Sequence, residues 1–139
     1  MRYIKNNRIF IDTNILIYAY SHTEIEKKER ITLLLKRESL FMSTQVVNEF
    51  VWIMSRKFNV DMGYLKTISN NLFDIYEVSL ITKSTIDKAI DISLKLKFSH
   101  WDSLIVASAI ESNCDLLYTE DLQHGQVIED RLTALNPFR

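Results

Sequence analysis

The sequence predicts an α/β fold, a three-layer α/β/α sandwich around a central, mainly parallel sheet of about four or five strands. Three observations carry this. Short β-rich runs alternate with longer helix-favouring segments along the chain, which is the pattern of right-handed βαβ crossovers that put helices on both faces of a sheet. The strand candidates are short apolar runs, as expected of strands covered on both sides. The segment 100–112 is apolar almost all round and therefore reads as a buried helix.

Residues 8–12 (RIFID) form the first strand, and the Asp-Thr-Asn break after it turns residues 14–20 (NILIYAY) into a helix. Residues 24–37 are charged and helix-favouring, with Ile25, Ile31, Leu34 and Leu35 available for one face. Residues 40–42 make the second strand. Ser43 or Thr44 then caps a helix that runs to about Phe58. A helix over residues 61–73 precedes a third strand at 75–79. Residues 82–97 are amphipathic, with Ile86, Ala89, Ile90 and Leu94 sharing a face. Ser99 caps the apolar helix, residues 115–118 (DLLY) form the fourth strand, and residues 131–135 before Asn136-Pro137 read as a fifth.

With 139 residues, 47% apolar and 25% charged, the chain has ordinary globular composition and can bury a substantial core as one domain over 1–139. The start, MRYIKNNRIF, lacks the apolar run of a signal peptide, and no segment reaches membrane-spanning length, so the expected compartment is the cytoplasm. Cys114 is the single cysteine, which excludes an internal disulfide and a thiolate metal site. Gly63 and Gly125 are the two glycines, so neither G-x-G-x-x-G nor G-x-x-x-x-G-K exists. The familiar dinucleotide and nucleoside-triphosphate folds are thereby excluded. A formal charge of −1 does not describe a generic polyanion binder. Phosphate binding would need bound cations, local basic patches or a second copy of the chain.

In open parallel sheets ligands bind beyond the carboxyl ends of the strands, and acids near those ends carry the functional argument. Asp12 closes the first strand, where an Asx-turn or a helix N-cap is the structural reading. Glu49 lies on the border of an apolar arc made by Val46, Val47, Phe50, Val51, Ile53 and Met54, where a glutamate ordinarily reaches for water. Asp102 falls within the stripe of Ile105, Val106, Ala109 and Ile110. A carboxylate facing a core is costly unless it is paired, hydrogen-bonded or bound to a cation. A capping box with Ser99 is the structural alternative, and it leaves one carboxylate oxygen for a metal. Asp121 follows the fourth strand in Thr119-Glu120-Asp121. Four acids are thus expected at one rim of the sheet. Such a set repels itself, and its main chemical use is to hold hard divalent cations. Two ions can activate water and stabilise both the attacking and leaving oxygens of a phosphodiester, with no protein nucleophile.

With Asp12-Thr13-Asn14, Val47-Asn48-Glu49, Trp101-Asp102-Ser103-Leu104-Ile105 and Thr119-Glu120-Asp121-Leu122, the chain resembles the PIN-domain family, and most of all the VapC-type toxins of toxin–antitoxin pairs. The resemblance runs from Phe10-Ile11-Asp12-Thr13-Asn14 to Asn136-Pro137-Phe138 and includes the stretch from Asp121 to Gln126. It implies a parallel sheet between helices, and Mg2+ or Mn2+ held by Asp12, Glu49, Asp102 and Asp121. It further implies endonucleolytic cleavage of RNA, often tRNA or another structured RNA, by metal-activated water. Asn14 matches the family's polar residue near the first acid, and Thr119 a frequent Thr or Ser near the fourth. A small antitoxin partner and a homodimer are also implied, and no membrane.

Other signals are weaker. His22, His100 and His124 are too scattered for a zinc site, and Ser103 has no evident base. Lys27-Lys28-Arg30, Lys36-Arg37 and Arg56-Lys57 are solvated helix faces or phosphate contacts. Trp52 and Trp101 are packing residues or base-stacking platforms. Tyr18 and Tyr20 are candidates for a dimer or antitoxin surface. Two other functions compete: a PIN nuclease that processes or degrades RNA without being a toxin, and a non-catalytic protein-binding or signalling α/β domain.

Overall fold

The computed structural model describes residues 7–36 and 39–139. Arg37, Glu38 and the first six residues of the sequence lie outside them. The elements run β1 (Arg8–Ile11), α1 (Thr13–Ala19), α2 (Ile25–Leu35), β2 (Ser39–Ser43), α3 (Thr44–Arg56), α4 (Met62–Ile75), β3 (Glu77–Ser79), α5 (Lys83–Leu96), α6 (His100–Glu111), β4 (Leu116–Tyr118), β5 (Val127–Ile128) and β6 (Leu132–Leu135). The strands form one sheet in the order β3-β2-β1-β4-β6-β5, flanked by helices. All neighbouring strands are parallel except β5 and β6. The α/β architecture is the one the sequence predicts, with six strands where four or five were expected.

The additional strand is β5, and its turn explains why the sequence hides it. Glu129 and Asp130 both have positive φ, 51° and 55°, and the Arg131 N–H closes the turn onto the Ile128 carbonyl at 3.1 Å. Tight hairpins need such residues, but their usual sign is Asn-Gly or Asp-Gly. Glu-Asp carries no such signal.

The central strands read as buried runs and are buried. Ile9, Phe10 and Ile11 of β1 have no exposed surface. Helix α6 is buried over the eight consecutive residues 103–110, as its all-round apolarity requires. Helix α5 corrects an expectation. Its inward face is Thr85, Ala89 and Ile92, while Ile86, Ile90 and Leu94 are 41%, 46% and 67% exposed. The helix presses mainly on α6, and small or slim side chains at the contact let the two axes approach. Of the four apolar residues expected to share a face, Ala89 alone is buried. Lys97, with φ of 63°, ends α5 and Ser99 begins α6, so the two helices form a tight antiparallel pair. Among the described residues, no helix is long and apolar enough to cross a membrane.

Strand order sets where a ligand can enter. From β1 the chain steps outward to β2 and β3, then returns to lay β4 on the other side of β1. A sheet that reverses direction in this way opens a crevice at the carboxyl ends of the strands on either side of the switch.

Candidate active site

Asp12 stands at that switch. Its N–H donates to the Tyr118 carbonyl at 3.0 Å, extending the β1–β4 ladder by one residue and drawing the two strand ends together. One carboxylate oxygen, Oδ1, accepts the Thr13 N–H at 2.7 Å, so Asp12 does cap α1. The other, Oδ2, accepts the Thr119 hydroxyl at 2.7 Å. Thr119, itself 1% exposed, also accepts the Asp121 N–H at 3.0 Å. One hydroxyl therefore aims the Asp12 carboxylate and pins the backbone of Asp121.

The helix-borne acids are braced differently. Gln45 donates from Nε2 to Glu49 Oε1 at 2.7 Å and to the Trp101 carbonyl at 3.2 Å, which ties α3 to the first turn of α6. Both partners are acceptors, which sets the orientation of the amide. Gln45 is buried, and its Oε1 has no hydrogen-bond partner. The sequence reading missed this residue. Its signal was a polar side chain among core positions, four residues before Glu49 and so one turn below it. Asp102 is half-buried in the first turn of α6, where its N–H donates to the Ser99 hydroxyl at 3.1 Å.

Asp12, Glu49, Asp102 and Asp121 all line one small cavity of about 60 Å³, together with Asn14, Gln45, Trp101, Thr13 and Ile105. That is room for an ion and one or two waters. Among the described residues, no lysine, arginine or histidine lines it. Burial raises the Asp12 carboxyl to about 7, against the opposing hydrogen bond from Thr119, and the charge of Asp121 adds to the rise. Asp102 is also raised, first by burial and then by Asp121 against the Ser99 hydroxyl. These are carboxylates in want of positive charge. Among the described residues, no three Asp, Glu, His or Cys side chains are drawn together into a ready ligand shell. The donors are all oxygens, which suit hard divalent cations rather than zinc or iron–sulfur chemistry.

Larger cavities lie alongside. An apolar cleft of about 570 Å³ is lined by Tyr20, Met54, Phe58, Tyr64 and Ile68 among others. A second, of about 430 Å³, contains Tyr18, Trp52 and Lys57 and shares Asn14 with the acid cavity. Size does not mark the chemistry here, because neither gathers ionisable groups as the small cavity does. Trp52 and Trp101 are 62% and 64% exposed, so neither is a core residue. Ser103 is buried with no partner for its hydroxyl, and burial pushes the Cys114 thiol up to about 12, which leaves neither as a competent nucleophile.

The family model described as PIN domain matches residues 9–129. The chain belongs to the PIN domain family. A comparison with curated protein sequences finds no match. Solved structures do resemble this PIN domain in fold. A Klebsiella pneumoniae toxin–antitoxin complex aligns with TM-score 0.70 and 16% identity over 93% of this chain and 97% of the other. VapBC-1 from nontypeable Haemophilus influenzae aligns with TM-score 0.66 and 21% identity over 95% and 99%. Mycobacterium tuberculosis VapC20, a toxin that cleaves the sarcin–ricin loop, aligns with TM-score 0.68 and 14% identity over 81% and 89%. In this PIN domain the acid cavity lies at the carboxyl ends of β1 and β4, and its four carboxylates come from four separate segments of the matched region.

Proposed function

We propose that this PIN domain is a Mg2+- or Mn2+-dependent endoribonuclease, the toxin of a type II toxin–antitoxin pair acting in the cytoplasm. The observation that carries the reading is the convergence of Asp12, Glu49, Asp102 and Asp121 on one cavity without a cationic side chain. Their all-oxygen donor set fits a hard divalent ion, and these four residues would hold it. A bound cation would supply Lewis acidity toward a phosphodiester and would lower the pKa of a water toward neutrality. Thr119 keeps Asp12 oriented, and Gln45 does the same for Glu49. Asn14, exposed at the rim of the cavity, would orient the Asp12 carboxylate or contact the scissile phosphate.

The test is cleavage of a tRNA and rRNA mixture by wild-type and Asp102→Asn protein, with Mg2+, Mn2+ or EDTA. Cutting that needs both metal and Asp102 is expected, and mapping the new ends names the target. Cutting in EDTA, or by the variant, overturns the assignment. If wild type neither cuts nor melts at a higher temperature with metal, the cavity is structural and the chain is a binding domain.

Toxin–antitoxin complexes among the structural neighbours support a small protein antitoxin as partner, and the apolar cleft offers a surface for one. Growth arrest on expression, relieved by such a protein, separates a toxin from an RNA-processing nuclease. Pairing of two copies belongs to the same proposal, and sedimentation measures it.

A further inference from the structure

The proposed chemistry makes no use of Glu120, yet Glu120 is the centre of a second polar cluster beside the site. The Tyr18 hydroxyl donates to Glu120 Oε1 at 2.6 Å, and Lys27 Nζ donates to Glu120 Oε2 at 3.2 Å. Lys27 also donates to the Tyr18 hydroxyl at 3.2 Å. The same ammonium lies 4.5 Å from the Tyr18 ring centroid and 5.0 Å from that of Phe138, and the two rings meet edge to face at 5.3 Å. Phe138 is held in turn. Its N–H donates to Asn136 Oδ1 at 3.0 Å, and Arg30 Nε donates to the Pro137 carbonyl. Tyr18 comes from α1, Lys27 from α2, Glu120 from the segment after β4, and Phe138 from the end of the chain. Both Glu120 oxygens are therefore engaged, one by α1 and the other by α2.

The neighbour of Glu120 is Asp121, and Asp121 differs from the other three acids. It is exposed and lies in irregular backbone between β4 and β5, whereas Glu49 and Asp102 ride on helices and Asp12 is locked between strand and helix. A ligand on irregular backbone must lose conformational freedom each time it engages an ion. The Thr119 hydroxyl restrains it through its own N–H. We propose that the Glu120–Tyr18–Lys27 cluster, closed over by Phe138, is a positioning device that holds the Asp121 backbone in place and thereby sets the cation affinity of the acid cavity. This rests on the reading of Asp121 as a cation ligand. None of the three touches the reacting atoms. They act through Asp121, and they link cation affinity to the packing of α1, α2 and the chain end.

The test titrates Mn2+ into EDTA-stripped, dialysed full-length protein by calorimetry and records melting without metal on the same samples. Tyr18→Phe is the cleanest variant, since it leaves every charge and the Phe138 ring contact while removing the hydrogen bond to Glu120. Groups behind metal ligands typically govern affinity by about 10–100-fold. One step further out, Tyr18→Phe is expected to weaken Mn2+ binding by about 3-fold and Glu120→Ala by about 10-fold. In an Asp121→Ala background, Tyr18→Phe is expected to change nothing further. Unchanged Mn2+ affinity in Tyr18→Phe, whatever its melting temperature, overturns the inference and leaves the cluster a tertiary brace. Additive losses with Asp121→Ala overturn it as well, since the effect would then not pass through Asp121. Absence of Mn2+ binding by wild type overturns the metal reading itself, and this inference with it.

Discussion

Asp12 and Asp121 reach the acid cavity from the ends of neighbouring strands, whereas Glu49 and Asp102 reach it from helices, and the two pairs are held in different ways. On the strand side the Thr119 hydroxyl joins the Asp12 carboxylate to the Asp121 amide, and Asp12 is only 6% exposed. On the helix side Gln45 braces Glu49 against the Trp101 carbonyl, while both acids remain half-buried. Asp12 gains geometric precision at the expense of desolvation, and its raised carboxyl registers that cost. Glu49 and Asp102 stay closer to water than Asp12, while Asp121, held through its N–H alone, is the most exposed of the four. The most tightly held acid and the most exposed one share the strand wall, joined by the Thr119 hydroxyl.

The largest expected effect tests the strand wall directly. We expect Asp12→Asn to reduce RNA cleavage by about 100-fold or more while the protein stays folded. Cutting at wild-type rate by the purified variant would break the comparison at its centre.

Next comes the pH dependence of the metal-free protein. Asp12 in the folded state titrates near 7, against 3.8 for the free side chain, so between these values the folded state binds more protons than the unfolded one. Its favourable contribution is complete below pH 3.8 and is lost as pH rises through 7, by up to about 4 kcal/mol from this group. Asp102 shifts in the same direction. Denaturant unfolding in EDTA is therefore expected to show lower stability at pH 8 than at pH 5, and Asp12→Asn to flatten the difference. A wild type more stable at pH 8 would refute the idea that the strand wall carries the desolvation cost.

Thr119→Val keeps the shape of the side chain and removes both hydrogen bonds. Leaving a buried carboxylate oxygen and an amide unpaired costs about 1–3 kcal/mol, measurable by the same unfolding experiment, and cation affinity should fall with it. If Thr119→Val is silent in both, the two strand-borne acids are not coupled through this hydroxyl. The smallest effect is expected on the helix wall. Gln45→Leu loses two donated bonds but also removes the unpaired Oε1, so the net destabilisation should be about 1 kcal/mol or less. A loss larger than that of Thr119→Val would reverse the ranking of the two walls.

Several features were legible before any tertiary contact was known. Period and composition marked the strands, the buried α6 and the cap at Ser99, and narrowed the cap of α3 to Ser43 or Thr44, of which the structure uses Ser43. Asp102 stood out because an apolar stripe is costly for charge, whereas Asp12, Glu49 and Asp121 each had an ordinary reading alone and drew attention by position and by the family resemblance; all four line one cavity. What escaped notice was relational. Gln45 was an unremarked polar residue until Glu49 and Trp101 gave its amide two acceptors. Tyr18 read as a surface for partners, yet its hydroxyl is bonded to Glu120, 102 positions away.

The sequence by itself determined the order and type of nearly every element and which carboxylates lie near strand ends, because backbone propensity, side-chain period and the penalty on misplaced charge are local properties. Only the tertiary structure decided which face of α5 is buried, that residues 127–128 pair with β6, and how Thr119, Gln45 and Glu120 are employed. The neighbouring helix α6 chooses the face of α5, a turn with two positive-φ residues sets β5, and Thr119, Gln45 and Glu120 find partners 107, 56 and 102 positions away. A helix with apolar residues on two sides buries the one that fits its neighbour, and a hydrogen bond acquires a purpose when its other half arrives.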